Sequence, residues 1–342
     1  MASKERLHRH AKHLALVGSD TLLGREIREV LESSVAGTVI DGFAANGEAS
    51  FGEEEGEAVY REALSAGSLK SCEAIVCAGS EAGALKAYEL AKAGRGAVKL
   101  IDCSGYLEQK PEARICAPLI EGGKPGKGWL LIPAQPAAVS IAAVLLQLAG
   151  SAAMERAVVD IFEPASERGS KGIAELQQQT ANLLSFRPLE KHVFDAQLSF
   201  NLLPAYGEEA PVQLAAVEQR IEMHLATVLA LGARNGRSVP MPSIRLIQAP
   251  VFHGYSLSAW VQFKENAVLD KIAQSLASQS IEFRTLEQEV PTNAESAGQS
   301  GITVGDVRVD RNNPRAVWLW AVTDNLRLLA DSVARLLDGA EN

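Results

Sequence analysis

The chain of 342 residues is 47% hydrophobic and 22% charged, with a formal net charge of −9. It is long enough for two domains and ordinary in composition for a globular protein. The acidic balance argues against nucleic acid and anionic membrane as partners, because both select basic surfaces.

Residues 1–12 read as a flexible tail, basic and polar and without the apolar stretch of a secretory signal. Residues 13–135 then alternate strand and helix patterns. Leu14–Gly18 is a short apolar strand, and Leu22–Glu32 places Leu23, Ile27, Val30 and Leu31 on one helical face. Thr38–Ile40 is a second strand. The acidic run Glu53–Glu57 reads as a solvated loop or helix start. Ala74–Ala78 is a third strand, Glu81–Lys92 a helix ended by Gly94, and Val98–Asp102 and Trp129–Ile132 are further strands. Such alternation predicts an α/β fold whose N-terminal domain is a Rossmann-like, doubly wound parallel sheet.

The pattern changes at 136. Pro136–Met154 is the longest uncharged apolar run, and its Ser140, Gln147, Gly150 and Ser151 fit a buried core helix rather than a membrane span. Strand patterns at Ala157–Phe162, Val304–Val309 and Ala316–Val322 accompany helical ones at Lys171–Leu184 and Val212–Leu231, the latter stopped by Gly232. Ser243–Phe263 alternates apolar and polar residues and reads as one half-buried antiparallel strand. A C-terminal α+β domain over 136–322 is therefore expected, followed by an amphipathic helix in 323–342. Phe252, Trp260 and Phe263 offer apolar area for a homodimer interface.

Chemistry is sparse. Cys72, Cys77, Cys103 and Cys116 have no CxxC spacing and no histidine cluster beside them, so no metal is expected and the cytoplasm is the natural compartment. Gly18-Ser19-Asp20-Thr21-Leu22-Leu23-Gly24 joins the first strand to the first helix, where dinucleotide folds bring backbone N–H groups to a pyrophosphate. The middle glycine of that spacing is Thr21, so a purely structural turn stands beside the binding one. Asp41, read at the end of the second strand, is placed to accept from a ribose 2′-OH, and no Arg or Lys follows before Arg61. If a dinucleotide binds, NAD is favoured over NADP. At the junction of Trp129–Ile132 with the apolar helix, a favoured place for a nucleophile, stands Pro136, with no nucleophilic atom and no N–H.

Five segments, in order, carry a resemblance: Val17-Gly18-(x5)-Gly24-Arg25-Glu26, Ile101–Gly105, Phe200–Pro204, Ala249–Ser256 and Thr323–Arg327. As a set, spanning nearly the whole chain, they resemble the aspartate-semialdehyde dehydrogenase superfamily, closest to its Usg-type paralogues. The resemblance implies an N-terminal dinucleotide domain, a catalytic and dimerisation domain, and a last helix packing back on the first domain. It also implies a phosphate-linked oxidation of an aldehyde through a thioester. That reaction needs a cysteine thiolate, a histidine, oxyanion donors and substrate arginines.

Residue by residue, these groups are missing. The family's Asn-Pro-Asn-Cys reads Pro133-Ala134-Gln135-Pro136, and its Gly-His-Ser reads Gly254-Tyr255-Ser256. The two substrate arginines align with Gln248 and Glu108, a glutamine with Glu163, and the NADP-type arginine with Ala44. Family activity is therefore not expected, and a dimeric binding or scaffold protein is. The alternative is an NAD-dependent oxidoreductase rebuilt on Tyr255, His253 or Cys103. His253 is two residues from Tyr255 and so is expected on the same strand face; Cys103 follows a strand, and a buried small residue is its plainer reading. Glu108 and Glu163 form a carboxylate pair only if the fold brings them together.

Overall fold

The computed structural model describes residues 12–34, 38–54, 57–122, 128–233 and 239–338. All but the last residue of the expected 1–12 tail lies outside them, as does the 55–56 tip of the acidic run. In chain order the first elements are β1 (His13–Val17), α1 (Leu22–Ser34), β2 (Val39–Phe43), β3 (Ser50–Glu54), β4 (Glu57–Arg61) and β5 (Ala74–Cys77). There follow α2 (Glu81–Ala93), β6 (Lys99–Asp102), β7 (Ala113–Cys116), α3 (Pro118–Glu121), β8 (Leu130–Pro133), α4 (Pro136–Leu148) and β9 (Met154–Glu163). The remainder are α5 (Gly169–Leu184), α6 (Leu214–Ala233), β10 (Ser243–Gln248), β11 (Tyr255–Phe263), α7 (Leu269–Leu276), β12 (Ile281–Phe283), α8 (Asn293–Ser296), β13 (Ile302–Asp310), β14 (Asn313–Thr323) and α9 (Asn325–Asp338).

Two compact units result. The first holds Met1–Arg114, Pro125–Pro133 and Val333–Asn342; the second holds Ile115–Lys124 and Ala134–Ser332.

In the first unit the strands run β2-β1-β5-β6-β8, with β7 beyond β8. The pairs β1–β2, β1–β5, β5–β6 and β6–β8 are all parallel. All four residues of β5 and of β8 are buried, the near-continuous apolar pattern of a sheet covered on both faces. Helix α1 buries Ile27, Val30 and Leu31 along one stripe, at about 1.5–3 kcal/mol for each large side chain taken from water. The acidic run is no helix start: β3 and β4 pair antiparallel, with Ser50 opposite Arg61.

The second unit is built on a mixed sheet, β10-β9-β11-β14-β13-β12. Helix α4 is apolar all round, with every residue except Gln147 buried. Alternation on the sheet puts Val159, Ile161, Leu257 and Ala259 into a core shared with α4, α6 and α7. On the opposite face Val158, Trp260 and Trp318 stand directly across from one another on adjacent strands. Val158 and Trp318 are exposed there.

Ser243–Phe263 is not one antiparallel strand. It divides into β10, parallel to β9, and β11, antiparallel to it. Between them Pro250 lacks a ladder donor, and Gly254 takes a φ of +82° that turns the chain. Phe263, expected at an interface, is fully buried in the core. Helix α6 continues past Gly232 to Ala233.

Candidate functional site

In the second unit the sequence-predicted positions Gln248, Glu163 and Tyr255 come together, joined by residues that sequence reasoning missed. Gln135 is the N-cap of α4, and Pro136 is its first residue, where a missing N–H costs nothing. The Gln135 Oε1 accepts from the backbone N–H of Ala137 at 2.7 Å and of Ala138 at 3.4 Å. These are the donors a helix N-terminus offers to an oxyanion, and a side chain of the same protein already takes them. The Gln135 Nε2 donates to the Tyr255 hydroxyl at 2.7 Å, and the Gln135 N–H donates to His224 Nδ1 at 2.9 Å. Because that ring nitrogen accepts, the His224 proton of the neutral ring sits on Nε2.

Tyr255 in turn donates to Glu163 Oε1 at 3.4 Å. Glu163 is fully buried, and both of its oxygens lie 2.9 Å from Arg168 Nη2. Tyr206 donates to Gln248 Oε1 at 2.5 Å, while Gln248 Nε2 donates to the carbonyls of Glu163 and Ala249. Nearby, Asn325 Nδ2 donates to Glu167 Oε1 at 2.9 Å. Gln135, Glu163, Gln248 and Tyr255 are each at most 3% exposed, so the network is closed.

Burial, followed by the charges of Glu167 and Glu163, pushes the Tyr255 hydroxyl well above the ordinary phenol pKa. The shift is opposite to the one a phenolic acid catalyst needs. His253 does not share the strand face of Tyr255: it precedes β11, beyond Gly254, and its carbonyl accepts from Asn293 Nδ2. Glu163 is paired with Arg168 rather than Glu108, and Glu108 acts on Asp102, raising its pKa as the last of several causes after burial. Arg168 had one sequence signal, its place five residues after a glutamate that stands where the resemblance has a neutral glutamine.

In the first unit the turn Gly18–Gly24 is largely self-satisfied. Thr21 caps α1: its Oγ1 accepts from the Gly24 N–H at 2.9 Å, and its own N–H donates to the Gly18 carbonyl. Gly18 has a φ of +90°, and a Cβ on Gly24 would lie 2.0 Å from the Gly18 carbonyl, so both glycines are needed by the turn itself. Leu22 and Leu23 occupy the first helical positions, whose N–H groups lack intrahelical partners and suit a phosphate. Asp41 is not at the strand end. It pairs with Ala15 in mid-strand, two residues before Phe43, and its charge raises the Cys72 pKa as the second cause after burial. Cys103 follows β6, with its N–H donating to the Cys77 carbonyl at 2.8 Å. Asp102, fully buried, accepts from the N–H groups of Ser104 and Leu107 and fixes the loop after Cys103.

Among the described residues no group of three or more metal-ligating side chains is gathered, and no helix is long and apolar enough to cross a membrane.

Residues 145–328 match the family described as semialdehyde dehydrogenase, dimerisation domain. The chain belongs to this family. Among curated relatives, a USG-1 protein homologue of Pseudomonas aeruginosa is 38% identical over 164 residues, 47% of either chain. The aspartate-semialdehyde dehydrogenase of Rickettsia bellii is 25% identical over 193 residues, 56% of this chain and 55% of that one. The matches thus span about half the length of these relatives. A solved structure of a probable aspartate-semialdehyde dehydrogenase from Pseudomonas aeruginosa superposes with a TM-score of 0.77 at 27% identity, covering 96% of this chain and 98% of that one. The enzyme II structure from Vibrio cholerae, at a TM-score of 0.79 and 19% identity over 97% of this chain and all of that one, shows the same fold. The α/β family architecture is therefore present, with a parallel sheet in the N-terminal part and a mixed sheet in the C-terminal part.

Proposed function

We propose that this family member is a cytoplasmic homodimer without phosphorylating dehydrogenase activity, serving as a binding or scaffold protein. One observation carries the reading. The helix N-terminus that would stabilise an oxyanion is capped by Gln135, whose amide also holds the phenol standing in the histidine position. Around it the anion-binding arginine position is Gln248, and the buried Arg168 is committed to Glu163. Without thiolate, imidazole and substrate cation, several orders of magnitude in rate are lost.

The alternative, an oxidoreductase rebuilt on Tyr255, His253 or Cys103, asks a phenol to donate a proton from a raised pKa and a histidine to act from outside the strand. The test is steady-state oxidation of aspartate semialdehyde with phosphate and either NAD or NADP. The reading expects no turnover above the enzyme-free blank. Turnover that disappears in Tyr255→Phe or Cys103→Ser would overturn it in favour of the alternative.

The homodimer is supported by the dimerisation-domain match and by the apolar row Val158, Trp260 and Trp318 on the sheet face opposite the helices.

A further inference from the structure

We draw no further inference here: the strongest candidate, the cavity of about 260 Å³ in the second unit between α3, α4, the end of α6 and the turn before β12, is lined by Leu119, Ile120, Leu146, Gln147, Ser278 and Ser280, and nothing in the structure shows what fills it.

Discussion

Arg168 and Glu163 illustrate how a buried charge persists only with its compensation. A carboxylate at a fully buried position is costly unless paired, and Arg168 contacts both of its oxygens. Removing the cation alone should be severe: Arg168→Ala is predicted to cost about 3–5 kcal/mol in urea unfolding, because the buried charge is left uncompensated. The double change Glu163→Gln with Arg168→Leu should cost less than Arg168→Ala alone; an equal or larger cost would contradict the pairing argument. Glu167 gives a pH prediction. Burial, and after it the Glu163 charge, raises its pKa, so the native state holds that proton longer than the unfolded chain does. Its contribution to stability is therefore most favourable below the ordinary carboxylate value of about 4.3 and declines as pH climbs toward the raised value. Glu167→Gln removes this decline. The Tm difference between variant and parent should widen in favour of the variant from pH about 4 to about 7, and a difference independent of pH would refute the sign.

The entry of helix α4 is satisfied by the chain's own residues. Pro136 sits at the first helical position and Gln135 caps the next two N–H groups, so the element is satisfied from within. Gln135→Ala should therefore lower stability by about 0.5–2 kcal/mol, measured by denaturant midpoint, and a neutral result would show that the cap does not matter. Much of this element was legible in advance: the uncharged run fixed a buried helix, and the proline marked its first turn. Its capping amide was not, because glutamine is an uncommon cap and no local pattern singles it out. The acidic hairpin β3–β4 was equally hidden. Its glutamate-rich stretch has no apolar alternation, and its strands are defined by pairing with each other rather than by a buried face. Ser243–Phe263 misled in the opposite way, since its alternation continues on both sides of a reversal set by Pro250 and Gly254. Asp41 erred by two residues, enough to move a ribose partner away from the strand end.

At the scale of the whole molecule, two parts keep the family architecture while their polar residues follow different constraints. The sheet face carrying Val158, Trp260 and Trp318 exposes apolar area opposite the helices. Static light scattering should give the mass of a dimer at micromolar concentration, and Trp318→Glu should shift it toward a monomer that retains its circular dichroism spectrum. A folded parent that is monomeric would remove this interface. Fold and family were readable from ordered segments along the chain, because strand–helix alternation and the glycine turn are local. The hydrogen-bonded closure of the site was not, because Gln135, Glu163, Tyr206, Gln248 and Tyr255 meet only after folding. The central claim is that the fold persists without a covalent step. Intact-mass analysis of the full chain, incubated with aspartate semialdehyde and NADP in the absence of phosphate, addresses it most directly. The account predicts no acyl increment on Cys72, Cys77, Cys103 or Cys116, and a thioester adduct on Cys103 would contradict it.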